Sequence, residues 1–148
     1  MAFPTETYYG LATAALDETA VDRLLGLKSR EPGHPMSVLV ADRAMLDRIA
    51  TVPEEVEGLL RRYWPGPLTV ALSAVAGLPR SLVSDAGEVG VRISSHAVAQ
   101  QLVATLGAPI TATSANRPKE PPAQDARAVR RVLPDVPVLD GGRTPGGA

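Results

Sequence analysis

The chain has 148 residues, 45% of them hydrophobic and 21% charged, a balance that suits one globular domain with a single core. A net charge of −1 gives no global grip on nucleic acid or membrane. The lack of cysteine excludes disulfide staples, thiolate-held zinc and thiol catalysis. No apolar run reaches the length of a membrane span, and aromatics at 3% supply no platform for stacking single-stranded bases. The expectation is a cytoplasmic protein away from membranes. Of the 15 basic residues only Lys28 and Lys119 are lysines, which draws attention to Lys28 as a place where a compact ammonium matters.

In chain order, Phe3-Pro4-Thr5-Glu6-Thr7-Tyr8-Tyr9-Gly10-Leu11 comes first, too polar and turn-prone for an ordinary core strand. Read on its residues alone, it is a strand end running into a helix cap. Asp17 and Thr19 precede a helical row of Val21, Leu24, Leu25 and Lys28. Met36–Val40 reads as a short strand. Asp42 caps a helix carrying Met45, Leu46 and Ile49, and Pro53 opens another with Val56, Leu59, Leu60 and Tyr63 on one face. Pro65-Gly66-Pro67 stops that helix.

Thr69–Ser73 is predicted as a strand, 74–85 as mostly loop, and Val89–Ile93 as a strand again. Ser94 or Ser95 is expected to cap a helix from Ala97 to Leu106, which Gly107 ends. Pro109–Thr113 is a strand running into Ser114-Ala115-Asn116. Asp125 starts a last helix, and Val136–Leu139 closes as a short strand. Both ends read as cut. The pattern predicts an α/β or α+β fold, a single domain with a mixed sheet and flanking helices.

Four polar clusters fall at the ends of these elements, where a rigid scaffold normally carries function. Thr5-Glu6-Thr7 is the first. Lys28-Ser29-Arg30 suits an anion with several oxygens, such as a triphosphate, although basic residues there also oppose a helix dipole. Arg92 is one charge in an apolar strand with no Asp or Glu beside it on that strand. It either faces solvent or, turned inward, takes a carboxylate such as an amino acid's. Thr111–Asn116 offers hydroxyls and an amide to phosphate, ribose or carboxylate, or is a polar turn. There is no Walker loop and no GxGxxG after a strand. His34 and His96 are too few for a His-rich metal site and read as surface or supporting groups.

Together these clusters resemble the YrdC-like family of threonylcarbamoyl-AMP synthases, in order and over nearly the whole chain. Phe3–Leu11 looks like the family's Pro-Thr-Glu-Thr-x-Tyr-Gly-Leu opening, and Lys28-Ser29-Arg30 with Pro35 resembles its Lys-x-Arg segment. Trp64-Pro65-Gly66-Pro67-Leu68-Thr69 matches a family hexapeptide, and Val91-Arg92-Ile93 with His96 resembles a Val-Arg-x-Pro-x-His strand. Ser114-Ala115-Asn116 and Asp140-Gly141-Gly142 complete the series.

The resemblance implies a twisted mixed sheet with a concave basic cavity. It also implies an enzyme that joins L-threonine, bicarbonate and ATP and releases pyrophosphate, for threonylcarbamoyladenosine modification of tRNA. Carried over by motif, Lys28 and Arg30 hold ATP phosphates and Asn116 contacts the nucleotide, and the resemblance puts His34 in the ATP-binding set with them. Thr7, Arg92 and Ser114 hold threonine, with Arg92 on its carboxylate. Lys28, Arg30, Ser114 and Asn116 form the catalytic set. Mg²⁺ would enter on ATP phosphates with no protein-held metal and no tightly bound cofactor. Downstream threonylcarbamoyl-transfer proteins would be partners, tRNA contact stays open, and the expected state is a monomer or weak dimer.

The chain departs from the pattern at Ser94, where the family usually has Pro, at Ser29, where Gly is common, and at Arg117-Pro118-Lys119. Residues 1–148 are expected to form one YrdC-like domain lacking part of the N-terminal element and the C-terminal Ser-Thr-Val strand. Alternatives are a non-catalytic RNA-binding relative, using Arg127, Arg130 and Arg131, and the carbamoyl-transfer domain of a hydrogenase-maturation protein. Lys28→Ala and Arg92→Ala are each expected to lower activity at least about tenfold while leaving the fold intact.

Overall fold

The opening stretch folds as a β-hairpin, not as the start of a helix. In the computed structural model, which describes residues 1–28 and 36–147, strand β1 (Ala2–Pro4) turns back through residues 5–8 into β2 (Tyr9–Leu11). Pairs Ala2–Leu11, Phe3–Gly10 and Pro4–Tyr9 set the antiparallel register. Thr5 makes the turn: its amide and its hydroxyl both donate to Tyr8 O, at 3.2 and 2.7 Å. The Thr residues therefore shape a turn and cap no helix.

Among the described residues the sheet has seven strands in the order β1-β2-β7-β3-β6-β5-β4, with β3 (Ser37–Leu39), β4 (Ala50–Thr51), β5 (Val70–Ala74), β6 (Glu88–Arg92) and β7 (Ile110–Ser114). Only β3 and β6 pair in parallel; the other ladders are antiparallel. The sheet is mixed, as the sequence predicts. The helices are α1 (Glu18–Lys28), α2 (Arg43–Asp47), α3 (Glu54–Tyr63), α4 (Ala97–Leu106) and α5 (Ala126–Val132). No described helix is long and apolar enough to cross a membrane.

Caps explain most boundaries. Asp42 Oδ1 accepts from Met45 N at 2.8 Å and Asp125 Oδ1 from Ala128 N at 2.7 Å, while Gly107 ends α4 at φ +66°. The cap of α4 is a correction. His96, not Ser94 or Ser95, takes that place, its Nδ1 accepting from Val98 N at 3.2 Å. Ser94 turns its hydroxyl elsewhere, as described below. The closing strand predicted at Val136–Leu139 is reduced to one parallel bridge, Ala2–Val138, held by Ala2 N to Pro137 O (2.7 Å) and Leu139 N to Ala2 O (2.9 Å). On α3, Leu60 is buried, whereas Leu59 and Tyr63 of the expected apolar face are 42% and 47% exposed.

The core runs from Phe3, Tyr9 and Leu11 through Val38, Leu39, Val89 and Val91 to Ile110 and Val129. Burial of this apolar surface holds the sheet to its helices. The hexapeptide Trp64–Thr69 docks on the end of β6: Gly66 N donates to Ile93 O at 2.8 Å and Trp64 Nε1 to Leu68 O at 2.7 Å. A Cβ at Gly66 would lie 2.3 Å from Tyr63 O, so only glycine fits this turn. The hexapeptide thereby fixes the backbone next to Arg92.

Candidate active site

Strand register paves a floor of small side chains. Ser37 pairs with Ala112, Gly10 with Ser114, and Leu39 with Arg92, so these residues share one face of the sheet. Gly10, Ser37 and Ala112 leave room above the strands, and a cavity of about 170 Å³ forms there. Thr5, Thr7, Ser37, Arg92, Thr113 and Ser114 give it polar walls, and Tyr8 and Tyr9 also line it. A cavity this small fits an amino acid better than a whole nucleotide.

Arg92 points into this cavity and is only 13% exposed at its side chain. The alternative of a solvent-facing Arg92 is thus excluded. The partner comes from outside its strand: Glu6, from the hairpin turn, approaches Arg92 NH1 at 3.1 Å. The sequence reading looked for a partner along β6 and could not see one that the hairpin brings from 86 positions away. Glu6 in turn accepts from Ser94 Oγ. Arg92 Nε stays buried without a hydrogen-bond partner.

A second cluster adjoins the first through Ser114. Lys28, buried at the end of α1, donates from Nζ to Ser114 O (2.8 Å), Asn116 O (2.9 Å) and Asn116 Oδ1 (2.6 Å). Ser114 Oγ also donates to Asn116 Oδ1 at 2.7 Å, and Asn116 Nδ2 donates to Glu120 O. The loop after β7 is therefore a hydrogen-bonded hub gathered on one ammonium. Thr7, Arg92 and Ser114 meet at the cavity, and Lys28, Ser114 and Asn116 meet beside it. Arg30, His34, Ser29 and Pro35 lie outside the described residues.

The sequence reading named Thr5 and Glu6 in its first polar cluster without a role, took Ser94 for a helix cap and passed over Ser37; Glu6 and Ser94 stand behind Arg92, and Thr5 and Ser37 line the cavity. Glu6 was visible as the one carboxylate between two threonines, but a helix-cap reading hid its reach. Tyr9 was passed over as well. Its hydroxyl donates to Gly142 O at 2.7 Å and accepts from Gly141 N at 3.2 Å, tying the Asp140-Gly141-Gly142 segment to the hairpin. Burial raises the Tyr9 phenol above its ordinary pKa, the Gly141 amide opposes this, and the nearby Asp140 charge adds to the rise.

A family model for Sua5, YciO and YrdC, described as Telomere recombination, matches residues 1–148. The curated threonylcarbamoyl-AMP synthase of Pyrococcus abyssi is 38% identical over 147 residues, covering 97% of this chain and 43% of the relative. The curated threonylcarbamoyl-AMP synthase of Chromohalobacter salexigens is 34% identical over 143 residues, 95% of this chain and 77% of the relative. Among solved structures, that of P. abyssi Sua5 complexed with L-threonine matches with a TM-score of 0.91 and 38% identity, over 97% of this chain and 43% of the other. The chain thus spans less than half the length of its P. abyssi relative. Motif order, sheet topology and these matches agree: the chain belongs to the Sua5/YciO/YrdC family.

Proposed function

We propose that the chain carries threonylcarbamoyl-AMP synthase activity, joining L-threonine, bicarbonate and ATP with release of pyrophosphate. The observation that carries this reading is Arg92, a nearly buried guanidinium with an unsatisfied Nε, in a small hydroxyl-lined cavity. A threonine carboxylate pairs with the guanidinium charge, and Thr7 and Ser114 offer hydroxyls to the rest of the molecule. Family membership and the synthase names of the relatives support the same reading.

In this reading the threonine amine attacks the carbon of CO₂ and loses a proton, or attacks bicarbonate and expels its hydroxyl oxygen as water, giving a carbamate. A carbamate oxygen then attacks the α-phosphorus of ATP, and the bond to the β-phosphate oxygen breaks as pyrophosphate leaves. No protein nucleophile is required; the residues position reactants and neutralise charge. ATP lies beside the Lys28–Ser114–Asn116 hub, and Arg30 and His34 are assigned to its binding on sequence alone. Glu6 is engaged by Arg92 and Ser94, which fits Mg²⁺ arriving on the phosphates as their counter-ion. The product is handed to proteins that transfer the threonylcarbamoyl group to tRNA in the cytoplasm. Residues 1–148 act as one YrdC-like domain.

Pyrophosphate release tests this directly. Release from ATP that requires both L-threonine and bicarbonate is expected; release indifferent to threonine, or none from a folded chain, refutes it.

A further inference from the structure

Arg92 lines the cavity, but Glu6, its partner, does not; the carboxylate stands behind the guanidinium. The side chains are 13% and 12% exposed, so neither charge is well solvated. Glu6 divides its two oxygens: Oε1 faces Arg92 NH1 at 3.1 Å, and Oε2 accepts from Ser94 Oγ. Ser94 Oγ is itself held, accepting from His96 N at 3.2 Å, and Ser94 O accepts from Gln100 Nε2 at 2.6 Å. A chain of contacts thus runs from the start of α4 through Ser94 and Glu6 to the back of Arg92. Arg92 Nε, by contrast, is buried with no acceptor, and Glu6 Oε1 meets NH1 as an ion pair without hydrogen-bond alignment.

We propose that Glu6 and Ser94 are positioning residues that brace Arg92 from behind, leaving its other guanidinium donors aimed at a ligand carboxylate in the cavity. A guanidinium is planar and carries five N–H donors, so fixing one edge orients the remaining ones. An unbraced arginine on four rotatable bonds would sample many directions and lose entropy on each binding event. The Glu6 charge also offsets the cost of holding Arg92 away from water between binding events. Proline, which the resembling motif usually carries at position 94, has no hydroxyl, so the Ser94 leg depends on the serine present in this chain. The brace rests on the synthase reading only for the identity of the carboxylate.

The test uses the full chain with Glu6→Gln, Ser94→Ala, Arg92→Ala and the Glu6→Gln/Arg92→Ala double variant. Urea melts without ligand read the brace itself. Glu6→Gln is expected to lower the midpoint in the wild-type background and to leave it unchanged or raise it in the Arg92→Ala background, where Glu6 would be a buried charge without its cation. An equal loss in both backgrounds overturns the brace. Pyrophosphate release then reads its consequence. Glu6→Gln raises the KM for L-threonine about fivefold or more, with the ATP KM and kcat changing much less, and Ser94→Ala gives a smaller change in the same direction. Added to Arg92→Ala, Glu6→Gln gives no further rise. An unchanged or lower threonine KM in Glu6→Gln overturns the positioning role. A wild type without threonine-dependent release defeats the synthase reading, while the melts still decide the brace.

Discussion

Lys28→Met keeps the unbranched stem and removes only the ammonium, so it isolates what the charge does. Three donated bonds are lost, to Ser114 O, Asn116 O and Asn116 Oδ1, at 2.6–2.9 Å. Bonds to a charged group are worth about 1.5–3 kcal/mol each on removal. They are not additive here, because all three acceptors sit on one turn and water can reach some of them once the ammonium is gone. A total near 3 kcal/mol is expected, or about a 10 °C fall in Tm for a domain of this size. This revises the expectation that a Lys28 substitution leaves the fold untouched. Thermal melts by circular dichroism, with ATP binding on the same sample, check it. A Tm fall below about 2 °C together with loss of ATP binding would refute the reasoning, since Lys28 would then serve the ligand and not the turn.

Tyr9→Phe should cost about 1 kcal/mol at neutral pH by removing the bond to Gly142 O, read in urea melts. Its pH dependence has a definite sign. The folded pKa is raised, so the unfolded chain loses the phenol proton first as pH passes about 10, and stability present below that value declines above it. The Phe variant should show a flatter stability profile through that window. Asp42→Ala removes the cap on Met45 N and should destabilise by about 1 kcal/mol in the same assay. Gly141→Ala would place a Cβ 2.6 Å from Pro4 Cγ and 3.1 Å from Val98 Cγ2; the segment from Asp140 should lift off β1 and α4 and become sensitive to limited proteolysis.

What was legible in the sequence follows from how local the signals are. Asp42, Asp125 and Gly107 act within one helical turn, and the helices they bound are present, although the one after Asp42 ends at Asp47, before Ile49, which the sequence reading puts on it. The tight hairpin was missed because its turn residues, Thr5 and Thr7, are also good helix caps, and its strands are only three residues each. The α4 cap went to His96 because Ser94 is drawn to Glu6, a tertiary contact with no local trace. Likewise, that Lys28, Ser114 and Asn116 belong together was suggested by motif, but that they bond to one another follows only from β7 ending beside the last turn of α1. The isolated charge at Arg92 did point to a carboxylate. The ligand carboxylate is proposed here; the protein carboxylate at Glu6 was not anticipated, because the hairpin brings it from outside the strand.

Calorimetric titration of L-threonine and of L-threoninamide into the wild-type chain and Arg92→Ala tests the central claim most directly. The account predicts that wild type binds L-threonine, and that losing either the ligand carboxylate or the guanidinium weakens binding at least about tenfold. Threoninamide binding wild type as tightly as threonine, or Arg92→Ala binding threonine unchanged, would contradict it.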